Sequence, residues 1–590
     1  MVSPTQMLLA PSQALLFLTH SYDYIILGGG TAGLTIAGRL SEDPSVTVGV
    51  IEAGNNEIDN PLVYTPGLFG AALGSEIDWG YKTVPQPYLG NRKIDAQRGK
   101  MLGGSSGLNF LMWDVASAPE YDWGHGWHFD VISKGWRAAE KLLKPQVETE
   151  LQPPSGADSK LHGKEGPISL SFGTWYPKIT NLFMPTLKAL GIKLKGDHFG
   201  GDNTGAYYVL ASVDPKTARR SYSASAYLEP NRHRKNLIVL TGAHIDKVIL
   251  KDKRAIAVDF IDDKGQTHRA ELRKDKSEII ISGGTYGSSA ILERSGIGKK
   301  SVLEAAGIDV IVRNENVGEN LHDHSFCPIG FELIPGIDTV DLLQTNASFL
   351  AAAQKEYKNN RAGPLASTLW SMTMLQLEKV MPKEKIQSLI DEYGSKSPNP
   401  FDWFALPRDT NGKSAVAQVE VLWPAFKMQA PTPSPGKTYI TMLPLLMHPL
   451  STGVVHIDSK DPLKSPIIDP KHYSHPLDKQ VMVAGAKWAL NYIKTEPLRS
   501  VIGRQVDITG DTDESIWDYC KMNIENCKHP VGTCALGTVV DGRLRVKGVK
   551  GLRVADASIM PHLVSAHTQA TVYGIAERAA EMIKQDRRGK

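Results

Sequence analysis

Cysteine is scarce in this sequence. Only Cys327, Cys520, Cys527 and Cys534 occur among 590 residues, too few for a disulfide framework in a chain of this size. No two of them have the short spacing that is typical of zinc sites. We therefore expect reduced, mostly buried thiols and no metal site.

Long hydrophobic runs and a dominant charge are also missing. No stretch reaches the roughly 18 apolar residues that a membrane-spanning helix needs. The 66 basic and 63 acidic residues nearly cancel and leave a formal charge of +3. These features predict no membrane span and no nucleic-acid partner, and they favour a small molecule as the partner.

Signals for export are weak. The first twenty residues contain no Lys or Arg, and their apolar stretch is interrupted by Pro11. A secretory signal normally has a positive segment before its apolar core. One glycosylation sequon occurs, at Asn346-Ala347-Ser348. We expect a cytoplasmic protein, with secretion as the alternative.

The size and composition indicate a globular protein with more than one domain. Hydrophobic residues make up 41% of the chain and charged residues 22%, which are ordinary values for folded proteins. A length of 590 residues exceeds what one hydrophobic core usually fills.

The stretch "YDYIILGGGTAGLTIAGRL" predicts a strand, a glycine-rich turn and a helix. Gly28, Gly30 and Gly33 have the G-x-G-x-x-G spacing that brings a pyrophosphate to a helix N-terminus, with Thr31 and Ala32 between them. A second strand ends at Glu52-Ala53, and Glu52 can accept hydrogen bonds from a ribose diol. The motif predicts a dinucleotide site. It does not separate NAD from FAD, although Glu52 disfavours NADP.

A second glycine-rich turn, "RGKMLGGSSGLN", spans residues 98–109. Such a loop concentrates backbone N–H groups, which can hold an anionic or electron-rich part of a cofactor. A flavin ring, which gains negative charge on reduction, is one candidate.

These two turns and four later stretches resemble the glucose-methanol-choline (GMC) oxidoreductase family, in particular its fungal aryl-alcohol oxidase and glucose oxidase-like branch. The later stretches are "GGTYGSSAILERSGIG", "VGENLHDH", "HPVGTCALG" and "VADASIMPHLVSAHTQATVYGIAERAA". The family usually has proline where this chain has Ser289, and we interpret that position as a helix start, where serine is acceptable.

The resemblance implies that FAD is the cofactor and implies how it lies. The diphosphate would contact the turn at Gly28–Gly33, the adenosine ribose would contact Glu52, and the backbone of Val248 would contact the adenine. The remaining cofactor-binding residues implied by the resemblance are Leu102, Gly103, Gly104, Ser105, Ser106, Asn109, Asp556, Ala557, Thr568 and Gln569.

The resemblance also places His529 and His567 at the reactive face of the flavin. Oxidation of an alcohol needs a base for the hydroxyl proton while the carbinol hydrogen leaves as hydride to flavin N5, and neutral histidine suits that task. His529 is the predicted base and His567 its partner. The "HDH" at residues 322–324 matches the family loop, so we reject a metal reading for it. Phe110 and Trp113 either line the substrate pocket or belong to the core.

The predicted fold is α/β, with a Rossmann-type FAD-binding domain interleaved in sequence with a substrate domain on an antiparallel sheet. Strands are predicted at residues 237–242, 277–284 and 551–558, and strand-like stretches at "YITMLPLLMH" and "TGVVHIDS". The expected FAD-binding domain spans residues 21–325, with an inserted segment of the substrate domain near 155–230. The substrate domain is expected at 326–540, and residues 541–590 are expected to return to the FAD-binding domain.

Two functions stay open on the sequence. One is oxidation of a primary or secondary alcohol, with oxygen or a quinone as the electron acceptor. The other is a lyase, cyclase or dehydratase of a biosynthetic pathway in which FAD serves the structure only, as in some relatives of the family. Reduction of the flavin by an alcohol would separate the two.

Overall fold

The computed structural model describes residues 8–144, 158–273, 276–368, 371–393, 416–429 and 431–589. Its longer helices are Thr31–Leu40, Phe129–Ala139, Thr180–Ala189, Gly284–Arg294, Ala347–Asn360, Lys383–Tyr393, Pro476–Tyr492, Asp513–Asn523 and Gln569–Arg587. Among the helices of these ranges, none combines the length and the apolar composition that crossing a membrane requires. The first residues of the predicted insertion, 155–157, lie outside the described ranges.

One sheet is wholly parallel. In spatial order its strands are Leu8–Leu9, Leu237–Leu240, Val48–Ile51, Tyr24–Leu27, Glu278–Ile281 and Leu552–Val554. The inner strands are buried almost throughout, as expected for a parallel sheet covered on both faces, and they therefore read as continuous Val, Ile and Leu runs. The strands predicted near 237, 277 and 551 are confirmed, and so is the Rossmann-type α/β architecture.

The final helix packs against helices from the first part of the chain. Gln569–Arg587 packs against Thr31–Leu40 and Phe129–Ala139. The Nε of Arg39 donates to the carboxylate of Glu577 at 2.9 Å, and the hydroxyl of Tyr227 donates to the same carboxylate at 2.6 Å. The contact with Arg39 fixes the last helix against Thr31–Leu40, and the contact with Tyr227 fixes it against the segment Ala224–Leu228.

Within the described residues, a second sheet is antiparallel and has eight strands. Its main path is Ile502–Gln505, Ile329–Leu333, Tyr439–Leu446, Val419–Leu422, Ser371–Leu375 and Gly205–Tyr208, and the short strands Ser325–Phe326 and Glu525–Asn526 join it at one side. The helix Pro476–Tyr492 covers one face. The strand Gly205–Tyr208 comes from the predicted insertion, whereas the domain boundaries themselves stay a prediction.

The strand predicted in "TGVVHIDS" is confirmed as Val454–His456, which pairs with Ile467–Asp469 in a ladder apart from the large sheet. One local expectation, at Ser289, was wrong. Ser289 does not start a helix, because the helix already begins at Gly284, directly after the parallel strand. Ser289 lies in its interior and is fully buried, and within the described part of the chain its hydroxyl has no hydrogen-bond partner.

Candidate active site

A deep cleft joins the two sheets. It runs from the carboxyl ends of the parallel strands, at Gly28 and Ser282, to Leu443 on the antiparallel sheet. The cleft is open to solvent, and residues of both sheets line it. An extended ligand such as a dinucleotide could therefore contact both sheets.

The turn after Tyr24–Leu27 has the shape that a pyrophosphate needs. A Cβ on Gly33 would lie 1.9 Å from the carbonyl oxygen of Gly28, so only glycine permits this packing of helix on strand. Gly28 itself has φ 105°. At Gly30 the nearest atom to a Cβ would be 3.8 Å away, so this face of the turn is open to the cleft. Gly30, Thr31 and Ala32 line the cleft, and Gly33 supports them from behind.

Glu52 directly follows the neighbouring strand Val48–Ile51, and both Glu52 and Ala53 line the same part of the cleft. Its two carboxylate oxygens each accept a backbone N–H, from Gly29 and Gly54, at 2.8 Å. Burial raises the pKa of Glu52 to about 7, although these hydrogen bonds act in the opposite direction. Each oxygen keeps a lone pair that can accept from a ribose hydroxyl.

Three helices point their N-termini into the cleft, beginning at Thr31, Gly284 and Gln569. No acidic residue occupies the first turn of any of them. A helix N-terminus carries a partial positive charge and free N–H groups. The cleft is therefore prepared for an anionic ligand such as a diphosphate or a reduced flavin.

The second glycine-rich turn forms one wall. Gly103 (φ 94°) and Gly104 (φ 51°) adopt left-handed backbone conformations, and the N–H of Gly103 donates to the carbonyl of Gly29 at 2.8 Å. Gly104, Ser105 and Ser106 line the cleft. Leu102 and Gly103 do not, and their part is to fix the turn against the dinucleotide loop.

The remaining predicted cofactor residues divide into two groups. Asp556, Ala557, Thr568, Gln569 and Asn109 line the cleft. The carboxylate of Asp556 accepts from the backbone of Gly284 at 2.8 Å and of Ser558 at 2.8 Å, which connects the last parallel strand to the second helix N-terminus.

Val248 is outside the cleft lining, and its N–H already donates to the hydroxyl of Ser295 at 2.8 Å. Ile245, three residues earlier, does line the cleft. The contact between Val248 and adenine stays a prediction. Trp113 belongs to the core, since it is fully buried and its indole N–H donates to Glu140 at 2.7 Å, whereas Phe110 lines the cleft.

His529 lies at the inner end of the cleft, between two other histidines. Its ring centroid is 5.2 Å from that of His324 and 4.9 Å from that of His567. The backbone N–H of His529 donates to Asp323 at 2.7 Å, which fixes the loop that carries the ring. Burial, together with nearby positive groups, lowers the pKa of His529 well below its usual value. The ring is therefore neutral at pH 7.

The contacts of His324 assign the tautomer of His529. The Nε2 of His324 lies 2.9 Å from the carbonyl oxygen of Met447, which can only accept, so this nitrogen carries the hydrogen. Burial lowers the pKa of His324 to about 3, so the ring is neutral and its Nδ1 is an acceptor. The Nδ1 of His529, 3.0 Å away, must then donate. The Nε2 of His529 is left without a proton, ready to accept one.

His567 has the opposite charge state. Its Nδ1 lies 3.2 Å from Asp114, and its Nε2 lies 3.8 Å from Glu420. Burial alone would lower the pKa of His567, but the two carboxylates outweigh burial and raise it to about 9. Both acidic side chains are fully buried. At neutral pH the cleft thus presents one neutral and one protonated imidazole side by side.

Sequence reasoning missed three of these groups, Asp114, Glu420 and the role of His324. Glu420 did leave a signal, because it is the only charged residue in the otherwise apolar strand Val419–Leu422. Asp114 directly follows the short strand Met112–Trp113. Nothing in the neighbouring sequence indicates that its side chain contacts a histidine 453 residues later. Within the described residues, no group of three or more His, Cys, Asp or Glu side chains could hold a metal ion.

The residues of the cleft fit FAD. The two glycine turns meet with no side chain between them, since a Cβ on Gly104 would lie only 2.8 Å from the Cα of Gly30. Glu52 offers free lone pairs to a ribose, and three helix N-termini face the space that a diphosphate and a flavin would fill. The histidine pair borders the same space.

Comparisons with known proteins agree with this geometry. Family models described as GMC oxidoreductase match residues 22–326 and 449–576. The chain is 34% identical over 610 residues to the dehydrogenase citC of Monascus ruber, covering 97% of both chains. Its fold is similar to a formate oxidase of Aspergillus oryzae (26% identity, TM-score 0.86, 96% and 99% coverage) and to a fungal aryl-alcohol oxidase (26%, 0.82, 96% and 99%).

The family models together cover most of the chain, and most of the residues that line the cleft lie within the two matched ranges. The structural relatives are FAD-dependent oxidoreductases. On this evidence the chain belongs to the GMC oxidoreductase family and is an FAD-dependent enzyme.

Proposed function

We propose that this enzyme oxidises the CH–OH group of a primary or secondary alcohol. The observation that carries the proposal is the pair of imidazoles in opposite charge states. His529 offers an unprotonated Nε2 to the cleft, and His567 beside it holds a proton. An alcohol losing its hydroxyl proton needs a base, and the developing negative oxygen needs a positive donor.

The roles of the residues follow from their contacts. The Nε2 of His529 accepts the hydroxyl proton, and His324 and Asp323 hold the ring in place. The Nε2 of His567 is 3.8 Å from Glu420, too far for a strong hydrogen bond, so its N–H is available to the substrate oxygen. FAD, when bound, supplies the acceptor for the carbinol hydride. Holding the alcohol between base and acceptor is worth roughly 7–11 kcal/mol in general.

The direct test is anaerobic mixing of the purified holoenzyme with primary and secondary alcohols. We expect the absorbance of the oxidised flavin to be lost, because hydride transfer reduces it. Admitting oxygen or adding a quinone should then restore the absorbance and identify the acceptor. If no alcohol bleaches the flavin while dithionite does, the proposal fails and the non-redox lyase or cyclase reading takes its place.

The pH dependence of flavin reduction should show the two charge states. The depressed pKa of His529 keeps the base unprotonated, so the rate should stay constant as the pH falls through 6.5. The raised pKa of His567 keeps its proton until about pH 9, so the rate should decline only above that pH. The measurement is the limiting rate of anaerobic flavin reduction from pH 5 to 10.5.

Glu420→Gln is the matched variant, since it removes one of the two charges and keeps the side-chain size. An opposite charge at this distance raises a histidine pKa by about 1–3 units. In the variant, the decline of the flavin-reduction rate at alkaline pH should therefore begin about 1–3 pH units lower. An unchanged onset of the decline in the variant would show that Glu420 does not hold the proton on His567.

A further inference from the structure

One buried carboxylate, that of Glu120, joins separate segments of the chain behind the active site. Glu120 lies in the short helix Ala118–Tyr121, and its side chain is fully buried. It is not part of the cleft lining, so it is not placed to touch the substrate or the cofactor. Burying a carboxylate is costly unless hydrogen bonds compensate for the lost water. The partners of this side chain therefore decide what it can do.

Four donors fill the lone pairs of the Glu120 carboxylate. Its Oε1 accepts from the backbone N–H of Ser117 at 3.2 Å and from the hydroxyl of Ser565 at 2.6 Å. Its Oε2 accepts from the backbone N–H of Ser565 at 2.5 Å and from the Nε2 of His448 at 2.9 Å. The contact with Ser117 is the capping box of the short helix. The other three donors come from distant segments, and helix capping does not explain them.

Ser565 connects this carboxylate to His567. Glu120 binds both the backbone and the side chain of Ser565, which is two residues before His567 in the same loop. The amide of Asn203 donates to the same serine, at 2.6 Å to its carbonyl oxygen and at 3.1 Å to its hydroxyl. The loop that carries His567 is therefore fixed directly before the imidazole.

His448 connects the same carboxylate to His529. The residue before His448 is Met447, whose carbonyl oxygen accepts from the Nε2 of His324 at 2.9 Å. His324 in turn accepts from the Nδ1 of His529, which leaves the Nε2 of His529 free to accept a proton. A shift of Met447 and His448 would therefore weaken the contact that selects this tautomer.

We propose that Glu120 is a positioning residue that sets the placement of His567 relative to His529. The two imidazoles come from different loops, and their ring centroids are 4.9 Å apart. One carboxylate that holds both Ser565 and His448 can maintain that distance. The inference rests on the proposed alcohol oxidation, in which one imidazole takes the proton and the other stabilises the oxygen. Such a pair is sensitive to distance, because a misplacement of about 1 Å can cost about 100-fold in rate.

The first test replaces Glu120 with glutamine. Glu120→Gln keeps the size of the side chain but exchanges one acceptor oxygen for an amide group, which then faces hydrogen-bond donors. We expect the limiting rate of anaerobic flavin reduction by an alcohol to fall at least about tenfold. The dissociation constant of the alcohol should change little, because residue 120 is outside the cleft lining. An unchanged limiting rate contradicts the inference.

The pH profile separates positioning from a general loss of stability. His567 is faced by Asp114, by Glu420 and by His529, and the two carboxylates raise its pKa to about 9. If Glu120→Gln displaces the loop from these carboxylates, the pKa of His567 falls. The decline of the rate at alkaline pH should then begin at least about one pH unit lower than in the wild type.

Glu293→Gln is the matched control. Glu293 is also fully buried, and its carboxylate accepts from the Nδ1 of His456 at 2.6 Å and from the backbone N–H of Ile457 at 2.8 Å. Losing such a carboxylate should lower the melting temperature in a similar way, but neither partner is bonded to a histidine of the active site. We expect the alkaline decline at its normal pH. An equal shift in Glu293→Gln would show a general effect of destabilisation and overturn the inference.

The milder variant Ser565→Ala removes one donor to Glu120 and keeps the backbone N–H. In the wild type it should slow flavin reduction about threefold or more, whereas in Glu120→Gln it should have little further effect. Equal factors in both backgrounds would show that Ser565 and Glu120 act independently, which overturns the inference. If Glu120→Gln yields no holoenzyme, Ser565→Ala decides alone: an earlier alkaline decline supports the inference, and a normal one overturns it.

Failure of the proposed function has a different signature. If no alcohol reduces the flavin of the wild type, alcohol oxidation is wrong, and crystal structures of the wild type and of Glu120→Gln test the positioning role. An increase of about 0.5 Å or more in the distance between the imidazoles of His529 and His567 would support that role. An unchanged distance would contradict it.

Discussion

Replacing His529 with alanine should slow the reduction of the flavin by an alcohol at least about 100-fold, the usual contribution of a general base. His529 is the only one of the three clustered histidines whose unprotonated nitrogen faces the cleft. His324 has one nitrogen bonded to the Met447 carbonyl and the other to His529, and His567 holds a proton. Neither of the other two histidines is therefore placed to substitute. Stopped-flow absorbance under anaerobic conditions measures the rate.

The cofactor should remain bound in this variant. The hydrogen bond between residue 529 and Asp323 uses the backbone N–H, which alanine retains. FAD content and melting temperature should therefore match those of the wild type. His233→Ala, at an exposed histidine, is the control and should reduce its flavin at the normal rate. If His529→Ala also reduced its flavin at the normal rate, the base would have to be another group.

Gly33→Ala should remove most of the bound FAD. The added Cβ would lie 1.9 Å from the carbonyl oxygen of Gly28 and 3.3 Å from the side chain of Ile26. A backbone atom cannot withdraw as a flexible side chain can, so the helix must move away from the strand. That movement displaces Gly30 and Thr31, which line the cleft. We expect at least about tenfold weaker binding, which corresponds to about 1.4 kcal/mol.

The measurement is the ratio of FAD to protein after purification, followed by titration of the apoprotein with FAD. Gly200→Ala is a matched control, because a Cβ there would meet only Leu161 at 3.7 Å, an ordinary contact. Its FAD content and melting temperature should be normal. Full FAD content in Gly33→Ala would show that the turn can relax around the extra methyl group. It would also show that the third glycine is not required for the cofactor.

The glycine turns could be predicted from the sequence because their function is local. The turn at Gly28–Gly33 is specified by residues that are neighbours in the chain, and the same holds for the turn at Gly103–Gly104. The parallel strands were equally visible, since burial on both faces requires runs of Val, Ile and Leu.

The electrostatics of the histidines could not be predicted in this way. His324 and His529 are 205 residues apart, and Asp114 and His567 are 453 residues apart. The charge state of His567 depends on contacts that only the packing of the two sheets creates. The sequence indicated which histidines to examine, and the tertiary structure assigns a proton to one and a free lone pair to the other.

Ser289 shows a second limit. The expectation there started from a departure from the family motif, and the local geometry of this chain differs from it. The helix containing Ser289 starts five residues before it, at Gly284. Motif similarity locates an element of the fold, but its detailed contacts depend on the neighbours of each residue.

The packing of the helix Gln569–Arg587 against Thr31–Leu40 affects when the protein can complete its fold during synthesis. A ribosome adds about 5–20 residues per second. The strand Tyr24–Leu27 therefore cannot pair with Glu278–Ile281 until the ribosome has made that later strand. The contact between Arg39 and Glu577 cannot form until about 30 to 120 s after synthesis begins. A nascent chain that stops before residue 569 has both glycine turns and still lacks the helix that closes the cofactor site, so premature termination yields no partial enzyme.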